Sequence, residues 1–197
     1  ENTRFYETTR PFTELAFILG AKAEQVVDFL HTQNKKDNFN FSLQYRFSNS
    51  PGAVKNQNAN VNNLRFTSHF KSNNRKYELF FVFLSNKNAS SENGGLQSPA
   101  RLDSLSLNDP FELETRLGKS TAASRNPFNT NVSTGNIYTG SQFVIRQQYD
   151  LGKKDSSVVD SVTYRIFYPR LRLQHTLSVA TNTYQFLDTY VDSSKYQ

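Results

Sequence analysis

The 197-residue chain contains no cysteine and no tryptophan. Without cysteine there is neither a disulfide framework nor a thiolate metal site. It has no run of eighteen apolar residues, so no transmembrane helix is encoded. No Lys/Arg cluster occurs either. The net charge is +6, but the cations are scattered singly and no nucleic-acid motif accompanies them, so no nucleic-acid partner is expected. No targeting leader is visible and the chain opens on Glu1, which reads as a mature, trimmed or excerpted sequence.

Frames for catalysis and metal binding are absent as well. His31, His69 and His175 lie in separate segments, none in H-x-x-x-H or H-E-x-x-H. Each is expected to be solvated or part of an aromatic belt. Ser178 follows His175 closely but falls on the opposite face of a strand, and no G-x-S-x-G elbow exists. The segment "ENGGL" (92–96) lacks the G-x-x-x-x-G-K spacing and reads as a tight turn. Asp109, Glu112 and Glu114 are too sparse for a calcium loop. No enzyme activity, cofactor or metal is expected.

What the sequence does contain is aromatic alternation. There are 17 Phe and 10 Tyr. In "NFNFSLQYRFS" (38–48), Phe39, Phe41, Leu43, Tyr45 and Phe47 share one strand face, and Asn40, Ser42, Gln44, Arg46 and Ser48 the other. Leu64, Phe66 and Phe70 repeat the pattern against Arg65, Thr67, His69 and Lys71. So do Phe143, Ile145 and Tyr149 against Gln142, Arg146 and Gln148, and Leu171, Leu173, Leu177 and Val179 against Arg172, Gln174, Thr176 and Ser178. Strands are predicted at 12–20, 23–34, 38–49, 62–72, 75–86, 139–150, 161–168 and 170–182. Most run roughly 9–13 residues, beyond the usual five or six of globular proteins and near the 9–11 of a tilted membrane strand. "YELFFVFL" (77–84) departs from the pattern, being apolar on both faces, as if one face packed under a loop or plug.

Connections alternate in length. "NKKDN" (34–38) and "SNNR" (72–75) are tight turns, whereas 49–62 and 86–137 are long and fall at the other end of the sheet. Short turns at one end and long loops at the other is the asymmetry of outer-membrane barrels. The segment 151–160 and a break at Pro169 fit that alternation less well. "LNDPFELETRLG" (107–118) reads as a short helix or constriction element within the long loop. Asn88-Ala-Ser and Asn131-Val-Ser are formal glycosylation acceptors, expected in exposed loops. The mean hydropathy of −0.66 is too polar for a helical membrane protein but not for a barrel, which has one apolar face, a polar lumen and polar loops. No amphipathic helix is available to cover the apolar face; a soluble sandwich would need a second sheet to do so.

The blocks "RFYETTRPFTELAFILGAKAEQVVDFLHTQN" (4–34), "NFNFSLQYRFSNSPGAVKNQ" (38–57), "RKYELFFVFLSNK" (75–87) with "ENGGL", "RQQYDLG" (146–152) and "FYPRLRLQHTLS" (167–178) resemble the porin family of Bacteroidota. The resemblance implies an outer-membrane β-barrel of a Gram-negative envelope. Family members are longer, so it also implies a fragment of a larger barrel, and it brings no catalytic motif.

The expected fold is therefore all-β: an antiparallel transmembrane β-barrel or a segment of one. It would have about eight long strands, short periplasmic turns and long extracellular loops, in a single domain spanning 1–197 with a long loop at about 86–137. Pore-lining positions are expected at Arg46, Arg65, Lys71, Lys76, Arg146, Arg165, Arg172, Gln44 and Gln174, opposed by Glu14 and Glu78. Lipid-facing positions are expected at Phe39, Phe41, Leu43, Tyr45, Phe47, Phe66, Phe143, Ile145, Leu173 and Leu177. Phe39, Phe47, Phe70, Tyr77, Tyr149 and Tyr168, near strand ends, suit interfacial belts, although the absence of Trp weakens that reading. Partners are outer-membrane lipid and small solutes, and no signal for an oligomeric state is present. The leading function is passive diffusion of solutes. A soluble or periplasmic barrel or sandwich that binds a ligand, and a plugged structural barrel, stand as alternatives.

Overall fold

Short polar sequences turn the chain where local hydrogen bonds close a hairpin. At 34–38 the Lys35 N–H donates to the Phe39 carbonyl at 2.8 Å, and Lys36 takes the left-handed backbone (φ 62°). At 72–76 the Ser72 N–H donates to the Tyr77 carbonyl at 2.8 Å. The Tyr77 N–H returns to Ser72 Oγ at 2.9 Å, with Arg75 left-handed (φ 55°). A further turn, built on a 3-10 turn at Ala21–Ala23, precedes the second strand.

The computed structural model describes residues 3–98, 102–104, 107–118, 131–159 and 162–191, with the backbone alone for Lys154, 157–159 and 162–166. It holds β1 (Phe12–Leu19), β2 (Gln25–Asn34), β3 (Phe39–Ser50), β4 (Ala59–Lys71), β5 (Tyr77–Ser91), β6 (Thr134–Val159) and β7 (Val162–Asp188). All pair antiparallel in chain order, an up-and-down meander with β1 and β7 at the outer edges. The sheet is open: β1 does not pair with β7.

The two segments expected at 161–168 and 170–182 are one strand. Pro169 does not break β7, because it lies opposite Gly152 at a register shift between Leu151 and Gly152, on a strand with no partner along its outer edge. Bulges and edge strands are where a residue without an N–H is tolerated. A β-carbon at Gly152 would sit 2.0 Å from the Tyr168 carbonyl oxygen, so the close approach there needs glycine. With no break at Pro169, the long connections 51–58 and 92–133 share one end of the sheet, together with the short turn at 20–24. The β6–β7 tip falls at the other end, beside 35–38 and 72–76.

Strands β4, β5 and β6 also run further than the alternation suggests. Ala59–Val61, Lys87–Ser91 and Thr134–Tyr138 join the ladder, although Lys87–Ser91 has little apolar on either face, and β6 continues through 151–159, expected as a connection, to Val159. Asn88 accordingly lies in β5, opposite Tyr138, rather than in a loop.

Within the connection 92–133, the described residues fold against the 51–58 loop. Asn56 donates to Thr115 Oγ1 at 2.9 Å and to the Leu117 carbonyl at 3.2 Å, and an isolated bridge joins Leu96 to Thr115. The short helix expected in 107–118 is a 3-10 turn at Pro110–Glu112. Asp109 caps it by accepting from the Phe111 N–H at 3.0 Å. Phe111 and Leu113 are buried here.

The register sorts every strand residue onto one of two faces, because directly paired residues point the same way. One face carries the rows Leu43–Phe66–Phe83–Phe143–Val179 and Phe41–Ser68–Phe81–Ile145–Leu177. The other carries Thr32–Ser42–Thr67–Val82–Val144–Ser178. The most buried residues of the sheet are mainly polar. Among the described residues, the buried apolar side chains are Val82, Phe111 and Leu113 only. Thr32 (0% exposed), Thr67 (1%) and Ser42 (3%) are buried on the polar face, whereas Leu15 (70%) and Phe17 (61%) stand exposed on the apolar one.

Candidate functional site

The polar face is where chemistry gathers. On β2–β4 a ladder of side chains crosses three strands. Arg46 Nε donates to Asp28 Oδ2 at 2.8 Å, Gln44 Nε2 donates to Asp28 Oδ1 at 3.2 Å, and Arg65 donates to the Gln44 amide oxygen. Next to it Ser42 and Thr67 share a hydrogen bond of 2.6 Å, and Asn40 donates to Thr32 Oγ1 at 3.2 Å. Towards the long loops Asn63 donates to Asn86 at 2.7 Å. Towards the short turns Arg172 grips Asp150 with two bonds of 2.7 and 2.8 Å, and Gln148 donates to Glu78 at 2.7 Å. Forked arginine–carboxylate pairs of this kind fix geometry as well as charge. The Arg172 and Arg46 side chains remain 54% and 57% exposed, so both guanidinium groups still meet solvent.

By register, Gln44, Arg46, Arg65, Lys71, Arg146, Arg172 and Gln174 all lie on this face, together with Glu14 and Glu78. Lys76 lies in the turn before β5, its ammonium 5.5 Å from the centre of the Phe167 ring. The side chain of Arg165 lies outside the described residues. Phe39, Phe41, Leu43, Tyr45, Phe47, Phe66, Phe143, Ile145, Leu173 and Leu177 all lie on the opposite face.

Two carboxylates escaped the sequence reading. Asp150 shares the parity of Arg146 and Gln148 and was legible on that ground. Asp28 shares its face with Val26 and Leu30, which hid it. Their presence pairs two of the arginines expected to line the pore, Arg46 with Asp28 and Arg172 with Asp150.

His69 is neither solvated nor in an outer belt. It lies on the polar face, stacked on Phe80 at 4.3 Å between centroids, and Arg146 lies over the same Phe80 ring at 5.6 Å. Residues before β1 complete this cluster. Phe5 meets Phe80 edge-on at 5.1 Å and His69 at 6.2 Å, and the Thr8 N–H donates to Asn34 Oδ1 at 3.2 Å. Phe80, on the inner face of β5, is thus covered by Phe5 of the chain's own N-terminal segment.

Among the described residues no group of three or more His, Asp and Glu converges to hold a metal. None of their helices is long and apolar enough to cross a membrane, which says nothing of a β-barrel. A family model described as "Putative porin" matches residues 1–197. The chain belongs to this family. No curated protein and no solved structure matches it. Porin-family membership supports a porin-like role in general terms.

Proposed function

We propose that the sheet is part of an outer-membrane β-barrel wall that lets small solutes diffuse passively, with its apolar face against lipid and its polar face lining the aqueous path. The observation that carries this reading is the polar character of the buried sheet interior. Thr32, Ser42 and Thr67 are nearly inaccessible, while on inner strands Tyr45 and Tyr149 of the apolar face are exposed. In water, that exposed apolar area would be unfavourable by about 25 cal/mol per Å². In hydrocarbon it has no such cost, and the antiparallel ladder satisfies the backbone within the wall. Full closure needs partners for the outer edges of β1 and β7, supplied by further strands. The loops 51–58 and 92–133 then face the cell exterior, and the turns 35–38 and 72–76 the periplasm. Selectivity comes from bore and lining charge, with no cofactor.

The test exploits the absence of cysteine from these 197 residues, so that an introduced thiol is the only one within them. Leu43 and Gln44 are neighbours on opposite faces. In the folded protein in outer membranes, Gln44→Cys should react with a small, charged, water-soluble thiol reagent. Leu43→Cys should react only with a lipid-soluble one. Equal aqueous reactivity at both positions, or extraction of the protein without detergent, would favour a soluble ligand-binding sheet instead.

A further inference from the structure

We infer that residues Thr3–Arg10 form a constriction across the short-turn mouth of the pore and set its bore; this rests on the polar face being the lumen. Three observations converge. First, the segment is held at two separated points: Thr8 on Asn34 of β2, and Phe5 on Phe80 of β5. β2 and β5 are three strand spacings apart, roughly 14 Å along the wall, so the segment crosses the polar face of four strands and takes up part of the lumen there. Second, its receptor is built for it. Phe80 is an apolar residue on an otherwise polar row, stacked by His69 and covered by Arg146, with its remaining edge given to Phe5. Edge-to-face and stacked rings give such a clamp a defined geometry. A lumen lined for water alone has no use for a ring at this position. Third, the segment presents Arg4, Glu7 and Arg10, all exposed, above a narrow cleft bordered by Tyr6, Asn34, Asn40, His69 and Lys71. Charges carried on a crossing segment act where the path is tightest, so they weigh more on ion selectivity than charges on the wall.

The experiment uses single-channel recording of the protein in planar bilayers. Deleting Thr3–Arg10 should raise conductance at least twofold, and Phe5→Ala or Phe80→Ala should raise it or make it fluctuate. Because deletion could also disturb folding, a second variant leaves the clamp intact. Glu7→Cys, folded and inserted, is modified from the short-turn side with a bulky thiol reagent, and conductance should fall by half or more. A conducting parent whose current is unchanged by both deletion and modification would overturn the constriction while leaving the channel reading in place. A silent parent that conducts once the segment is deleted would establish it as a complete plug. If parent and deletion variant are both folded and both silent, the channel reading falls, and the constriction with it.

Discussion

Replacing Leu43 by arginine should destabilise the inserted protein by about 2–4 kcal/mol, the cost of a cationic side chain on the lipid face at the bilayer midplane. The position follows from the register. Along β3 the apolar residues run from Phe39 to Phe47, about 26 Å of strand at the usual rise, and Leu43 is at their centre. Tilted by the usual barrel angle, that stretch accounts for most of an apolar band about 25 Å tall. Leu43 also lies in the row Leu43–Phe66–Phe83–Phe143–Val179, apolar across five strands. On the other side its direct partner is His31, hydrogen-bonded to Thr13 at 2.8 Å, so no carboxylate in the row is placed to receive the guanidinium. The control is one residue away. Gln44→Arg has the same depth and the opposite face. It loses the amide that joins Asp28 to Arg65 but sets a new cation beside Asp28, a change of under about 1 kcal/mol in a solvated setting. Urea titration of folding into lipid vesicles measures both. The folding equilibrium should shift by roughly thirty- to seven-hundred-fold for Leu43→Arg, and by a small factor for Gln44→Arg. A cost near zero at Leu43, or equal costs at both positions, would refute the assignment of faces.

Protease or epitope accessibility on intact cells should place 51–58 and 92–133 outside and leave 35–38 and 72–76 protected; cleavage in the 72–76 turn without cleavage in 92–133 would invert the topology. Reversal potentials across a salt gradient should show a modest anion preference that fades as salt rises. Arg46 and Arg172 are already paired with Asp28 and Asp150, and the Debye length is about 8 Å at physiological ionic strength. The Arg46→Glu, Arg65→Glu double variant should turn the preference towards cations, and a cation-selective parent would contradict the assigned lining. Gly152→Val should force the β6–β7 ribbon apart at its bulge, since the new β-carbon would meet the Tyr168 carbonyl. The expected destabilisation is about 1–3 kcal/mol, read as faster amide exchange and proteolysis beyond Leu151; unchanged protection would mean that the bulge relaxes freely.

The legibility of the fold in the sequence varied with how local its causes are. β3 was readable to within about a residue at either end, because each of its side chains obeys the two-sided rule by itself. The ends of β4, β5 and β6 were not. Where both faces turn polar, as at Lys87–Ser91, period two vanishes although the backbone ladder continues, and only the partner strand reveals it. Pro169 looked like a break because its tolerance depends on Gly152, seventeen residues earlier in the chain and opposite it in space. The double-sided apolarity of "YELFFVFL" pointed correctly to a covering element. That the element is Phe5, seventy-five residues upstream, no local pattern could say. For the polar face, parity put the arginines together, but the ion pairs that moderate them arise from cross-strand neighbours.

A wall of the proposed kind, with its hydrogen-bonded side chains towards water and its apolar ones towards lipid, changes the rules by which its sequence is free to vary. Lipid has no fixed shape to match, so an outward Phe can become Leu or Ile without leaving a void. Water fills whatever gap a shortened inward side chain leaves. Packing complementarity, which ties most soluble cores to particular residues, constrains the buried trio Val82, Phe111 and Leu113 far more than the rows of the sheet. The parity of each strand is what must persist, together with a few geometrically fixed points such as Gly152. Two proteins built on this wall can therefore diverge until few identical residues remain and still pair their strands in the same register.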